Sequence, residues 1–158
     1  MKRLSNDRAA EIADKIDIET LQRLYAKATD AIGQTSPSKV EEGRAIYHQI
    51  YTQDVQIRTE NPGTTPLVAS GPDAWADVVF GALKNYVGTQ HLIGTQLTQV
   101  RGDQGEMESY VNAWHKNSDG SVYYFLGTYI SKVRREETGW KIYDMTLRHD
   151  TSGTVQMQ

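Results

Sequence analysis

Four long extended runs fill the second half of this chain, and they limit its fold more than any other feature. They span 90–101, 105–117, 121–136 and 139–149, parted by the turn formers Gly102-Asp103-Gln104-Gly105, Asn117-Ser118-Asp119-Gly120 and Glu137-Thr138-Gly139. Runs of that length joined by such short turns pair with their neighbours as an antiparallel meander. A sheet of long strands twists and bends, and one of its faces must be covered.

The cover is written in the first half. Ile18, Leu21, Tyr25, Ala28 and Ile32 recur at helical spacing and Gly33 supplies a stop, which predicts an amphipathic helix over 17–32. Ser38 and Glu41 form a capping box for a second helix, with Ile46, Tyr47 and Ile50 as its stripe and an end near Tyr51. A short strand at 54–59 leads into the loop Asn61-Pro62-Gly63-Thr64-Thr65-Pro66 and a brief extended piece at 67–69. Gly71-Pro72-Asp73 then opens a third helix, packed by Trp75, Val78, Val79 and Leu83 and running to about Tyr86. Helices segregated from a strongly curved, mainly antiparallel sheet make an α+β architecture with room for an interior cavity. With no repeat or linker, the chain reads as one domain over 1–158, with 1–15 and 150–158 as peripheral tails.

Composition narrows the function classes. The 158 residues suffice for a core without cross-links, and the lack of cysteine excludes disulfides, iron–sulfur clusters and thiolate zinc sites. The N-terminus carries no apolar stretch long enough for a signal peptide, and nowhere do enough apolar residues run together to span a bilayer. A soluble, cytoplasmic protein with no membrane partner is expected. A net charge of -3 offers no general attraction to phosphate backbones, which argues against nucleic acid. The four histidines, at 48, 91, 115 and 149, show no paired spacing of the kind that binds metal, so no metal is expected.

His91 is the foremost candidate for chemistry. It lies in Gly88-Thr89-Gln90-His91-Leu92-Ile93-Gly94, and simple alternation puts its ring on one face with Ile93, Thr95 and Leu97. His115 lies on the next strand, so antiparallel pairing brings the two together, although a structural or rim role for either is the commoner outcome. Asp30 is the natural orienter of an imidazole. Nine residues after Leu21, however, an ideal helix has turned Asp30 roughly half a turn from the apolar stripe, so the pairing requires the helix to bend or end near Thr29. Tyr25 is on the stripe, and its phenol needs either a core hydrogen bond or a substrate oxygen. Tyr123, Tyr124, Phe125 and Tyr129, with Tyr110 and Trp114 on the preceding strand, suggest an aromatic-tolerant cavity. Arg148, sharing a strand face with Trp140, Ile142, Asp144 and Thr146, suits a phenolate or carboxylate. Tyr47, Thr59, Trp114, Tyr129 and Arg148 are therefore the candidate substrate contacts.

Tyr25 with Asp30 five residues later, Thr89-Gln90-His91-Leu92-Ile93-Gly94, and Gly127-x-Tyr129 ahead of Gly139-Trp140-Lys141-Ile142 together resemble the SnoaL-like branch of the nuclear-transport-factor-2-like superfamily. The resemblance covers nearly the whole chain. Its Thr-Gln-His-x-Ile-Gly string is similar to that of the scytalone dehydratases, with His115 near the place of their second catalytic histidine. Bile-acid 7α-dehydratases and hexachlorocyclohexane dehydrochlorinases are similar in using an Asp-His pair. The resemblance implies a cone-shaped α+β barrel, trimeric or dimeric, that catalyses elimination, isomerisation or cyclisation without a cofactor. It makes His91 the general base, Asp30 its orienting carboxylate, Tyr25 a pocket tyrosine and Arg148 a substrate contact, with Tyr25 or His115 as the acid. Gly127 and Tyr129 replace a serine and an asparagine of the scytalone dehydratases, and Thr59 a water-holding tyrosine, which implies a different substrate. A lyase acting on a hydroxylated aromatic by loss of water, or by retro-aldol loss of formaldehyde, is the expectation. A non-catalytic binding module is the alternative.

Overall fold

A computed structural model describes residues 6–157, in the order α1 (Asn6–Gly33), α2 (Pro37–Ile50), β1 (Tyr51–Glu60), β2 (Val68–Ser70), α3 (Pro72–Leu83), β3 (Gly88–Arg101), β4 (Gln104–Lys116), β5 (Ser121–Glu136) and β6 (Gly139–Gln156). The strands form one sheet in the order β2-β1-β6-β5-β4-β3. The meander β3 to β6 is antiparallel as its turns predict, and only β1 runs parallel to its neighbour β6. β2 and β3 remain as unpaired edges, so the sheet is curled rather than closed into a barrel. α1 lies along β3, with α2 and α3 packed against it. The core, including Ile18, Tyr25, Ile32, Tyr47, Val55, Met107 and Ile142, fills the space between helices and sheet.

Several boundaries differ from the sequence reading. α1 begins at Asn6, well ahead of residue 17, and β6 continues to Gln156. The first turns of α1 are exposed and bear no buried stripe, so periodicity does not reveal them. They are held by helix-favouring residues, by the Glu11 to Lys15 ion pair at 2.7 Å, and by Asp14, which accepts from Trp140 Nε1 at 3.0 Å and Arg135 Nη2 at 2.8 Å. α2 opens two residues earlier than a Ser38 cap allows. Ser36 takes the cap position and Pro37, whose φ is already helical and whose missing N–H is no loss there, begins the helix. α3 stops at Leu83 rather than Tyr86.

Bulges decide which side chains face the helices. Ile93 pairs with Val111 and Gln96 with Ser109, so Gly94 and Thr95 both stand opposite Tyr110. Beyond this bulge the strand has changed faces: His91, Ile93, Gln96 and Thr98 point inward, while Thr95 and Leu97 are exposed. β6 has a similar break at Tyr143, between the pairs Ile142 with Val133 and Asp144 with Lys132. Trp140 and Ile142 are inward, but Asp144 and Arg148 lie on the outer face, where Arg58 pairs with Asp144. The single face from Trp140 to Arg148 that alternation predicts therefore does not exist.

Candidate active site

His91 comes from the part of β3 before the bulge, and its side chain is only 8% exposed. Nδ1 meets Asp30 Oδ1 at 2.8 Å, the His91 amide donates to Asp30 Oδ2 at 3.1 Å, and Thr89 Oγ1 donates to Oδ1 at 3.1 Å. A carboxylate only accepts, so Nδ1 carries the ring proton and Nε2 keeps its lone pair. α1 runs unbroken through Thr29 to Gly33. Between β3, α2 and α3 its buried face is wide, taking in Gln22, Ala26, Thr29 and Gly33 beside the apolar stripe, and Asp30 lies at the edge of that face, next to the exposed Arg23 and Lys27. Gly33 makes the close approach possible, because a Cβ there would lie 2.7 Å from Thr89 Oγ1.

His115 stands opposite Thr89, two pairs along the ladder from His91 and on the same face, with the two rings edge to face at a centroid distance of 5.3 Å. It is buried rather than at a solvent-facing strand end. Burial, reinforced by the neighbouring His91, lowers its pKa to about 4. His115 is therefore neutral at physiological pH. Its Nδ1 lies 3.3 Å from the Tyr123 carbonyl, an acceptor, which leaves Nε2 as an acceptor too and removes His115 as an acid at neutral pH.

Both histidines line a cavity of about 270 Å³ between the helices and the inner face of the sheet. Tyr25, Tyr129, Thr59, Tyr123 and Phe125 also line it, as do Trp75 and Tyr86 from the α3 region. Tyr47 is immediately behind, stacked on Tyr25 at 5.7 Å and bonded to Thr29 Oγ1 at 2.7 Å. Burial raises the phenol pKa values of Tyr47, Tyr51 and Tyr129 well above the ordinary tyrosine range. Tyr25 is raised by the same burial, against which the neighbouring polar groups of Tyr129, Thr29, Trp75 and Tyr47 act in the opposite direction. The Trp75 Nε1 itself is buried without a partner in hydrogen-bonding geometry among the described residues.

Two expected contacts are elsewhere. Trp114 packs on Tyr124 at 6.2 Å on the outer face, and Arg148 is exposed there with Asp150 at 3.7 Å. Alternation along β4 separates Trp114 from His115, and the Tyr143 bulge carries Arg148 outward. Thr89, Trp75 and Tyr86 escape the sequence reading as site residues. Thr89 stands in the same string as His91, but nothing in a string reveals that its hydroxyl binds Asp30. Among the described residues no three His, Cys, Asp or Glu side chains converge in a ligating arrangement, and no helix is long and apolar enough to cross a membrane.

A curled sheet under three helices is the nuclear-transport-factor-2-like fold. Within it, the chain belongs to the SnoaL-like domain family, whose model matches residues 10–146. Among solved structures it is similar to a candidate aromatic-ring hydroxylase from Novosphingobium aromaticivorans, with 24% identity over 91% of this chain and 94% of that one and a TM-score of 0.73. A candidate scytalone dehydratase from the same organism gives 19%, 96% and 93%, with a TM-score of 0.74. The type 3 hexachlorocyclohexane dehydrochlorinase of Novosphingobium barchaimii gives 16%, 96% and 97%, with a TM-score of 0.70. No curated protein matches the sequence.

Proposed function

We propose that the protein is a cofactor-independent lyase that eliminates water from a hydroxylated aromatic small molecule, with His91 as base and Tyr25 as acid. The observation that carries this reading is the 2.8 Å bond between His91 Nδ1 and Asp30 at the wall of an apolar cavity, which leaves Nε2 as a lone pair beside the substrate space. Nε2 takes a proton from the carbon next to the one bearing the hydroxyl. The C–H electron pair becomes the new double bond, the C–O bond breaks, and Tyr25 gives its phenolic proton to the leaving oxygen so that it departs as water. Return of the proton from the imidazolium to the phenolate resets the site. Asp30 stabilises the imidazolium between these steps, and the polar groups of Tyr129 and Thr29 near Tyr25 offset part of the cost of its phenolate. Neutral His115 accepts a hydrogen bond through Nε2 and so orients a substrate hydroxyl. The aromatic lining suits a flat, conjugated substrate, whose ring lowers the barrier to removing the adjacent proton.

The test is a screen of hydroxylated aromatics, following the rise of absorbance as a conjugated double bond forms and assaying formaldehyde in parallel. Loss of water that falls about 10²- to 10⁴-fold in His91→Ala supports the reading. Formaldehyde as the product would replace elimination by a retro-aldol cleavage run by the same base. Turnover undiminished in His91→Ala would remove the proposed base altogether.

A further inference from the structure

The cavity has a neighbour across one wall. A second hollow of about 320 Å³ adjoins it, and the two share Thr59, Leu67, Phe125 and Leu147. The inner hollow alone is slightly below the roughly 300–1,000 Å³ usual for ligand sites, whereas the two together fall inside that range. They also sit towards different edges of the sheet. His91 and His115 belong to β3 and β4, whereas the outer hollow is lined by His149 of β6 and Asn61 just after β1. Strands about 4.8 Å apart put roughly 14–19 Å of sheet between β3 and the pair β6 and β1, and somewhat less across the curl. A single ring resting on His91 falls well short of that.

Phe125 stands at the junction. Gly127 is the next inward position of β5, and the Phe125 ring occupies the space its side chain would take: a Cβ on Gly127 would lie 2.8 Å from two of the ring carbons. The ring packs there on His149 at a centroid distance of 5.3 Å. Laid into this notch, the ring forms part of the wall that the two hollows share. The outer hollow has polar groups of its own. His149 Nε2 meets Ser152 Oγ at 3.0 Å, which leaves Nδ1 for a ligand, and the Asn61 carboxamide has no hydrogen-bond partner among the described residues. Glu60, Thr64 and Thr65 complete its polar rim.

We infer that the two hollows form one elongated site, in which the outer hollow is a subsite for the hydroxyl-bearing far end of a two-ring substrate. The inference rests on reading the inner cavity as the place where the other end reacts. It is tested by calorimetric titration of the full chain with phenol, 4-phenylphenol and 4,4′-dihydroxybiphenyl, which needs no turnover. The second ring is expected to tighten binding about tenfold or more, and the second hydroxyl to add a further several-fold. Asn61→Ala combined with His149→Ala loses the gain from the second hydroxyl. Phe125→Trp, which places a larger ring at the junction, weakens both biphenyls about tenfold while phenol still binds and so reports an intact fold. If phenol binds but the second ring adds nothing, or if the variants bind both biphenyls as tightly as the wild type does, the outer subsite is overturned and the proposed function stands. If none of the three binds, the reading of the inner cavity falls and takes the subsite with it.

Discussion

Among the described residues, two histidines pair with an aspartate, and one of the two pairs has the arrangement that the proposed base requires. His91 meets Asp30 at 2.8 Å with side chains 8% and 23% exposed; His48 meets Asp73 at 3.1 Å with side chains 39% and 62% exposed. The difference lies in the other ring nitrogen and the other carboxylate partners. His48 Nδ1 is taken by Gln53 Nε2 at 3.3 Å, and Asp73 is shared with Arg44 at 3.4 Å, so this pair is part of a polar clamp joining α2 to α3. Asp30, by contrast, has Thr89 and the His91 amide as its other partners, and both of them serve the same imidazole. An imidazole held by a carboxylate acts as a base only where its second nitrogen is free and faces a substrate space. Burial also matters, because a charge formed in a low-dielectric site interacts far more strongly with its partner than one in water.

The largest expected effect separates the pairs directly. Asp30→Asn should lower kcat about 10²- to 10⁴-fold, close to His91→Ala, because an amide can present its donor to the ring and favour the wrong tautomer. Asp73→Asn should leave kcat within about twofold, and steady-state kinetics on the four single variants of the two pairs decides it. Comparable losses in both pairs would break the distinction.

The next effect is on stability against pH. His115 has a folded pKa of about 4, below the 6.5 of an unperturbed histidine, so between those values the unfolded chain binds more protons than the folded one. Its contribution is fully present above pH 6.5 and is lost as pH falls towards 4, on the order of 3 kcal/mol across the window. Asp73 titrates elsewhere: the His48 hydrogen bond holds its carboxyl below the usual aspartate value, so its contribution is present above that value and is lost only at lower pH. Urea unfolding at pH 7, 6, 5 and 4 should show a loss that His115→Gln flattens and Asp73→Asn does not.

The comparison also marks what was readable in the chain. The strand meander, the stripe of α1 and the proline that opens α3 follow from periodicity and turn chemistry, and the architecture follows from them. His91 was legible because it precedes the Gly94 bulge, where alternation still holds, while Leu97 and Arg148 were assigned to the wrong face because a bulge adds one residue without a signature in the sequence. Asp30 is legible as a partner by its chemistry, but not by its place on the wheel. The apolar stripe understates the buried face of α1, which also takes in Gln22, Ala26, Thr29 and Gly33 and so reaches Asp30 at its edge. The outer hollow was not legible at all, since it depends on where the Phe125 ring lies over Gly127.

A smaller effect probes the support of Asp30. Thr89→Val removes one hydrogen bond to the carboxylate and should lower kcat about tenfold at nearly constant KM, with a stability loss of about 1 kcal/mol. Gly33→Ala pushes on the same hydroxyl from the helix side and should add a packing cost of about 1–3 kcal/mol. If Thr89→Val changed KM alone, Thr89 would be a substrate contact rather than a support for Asp30.

The smallest effect is expected from the exposed pair. His48→Ala removes the contact to Asp73, but Arg44 still holds that carboxylate and also reaches Asp77, and the His48 carbonyl still accepts from Lys141 Nζ at 3.1 Å. What is lost is a half-exposed contact in water, worth no more than about 1 kcal/mol and screened further by salt. The thermal midpoint should drop by a few degrees at most and kcat should stay within about twofold. A loss of stability that vanishes in 0.5 M salt identifies the clamp as electrostatic. A loss of turnover without a change in the midpoint would mean that His48 reaches the substrate, and then free access of the second nitrogen could not be what sets His91 apart.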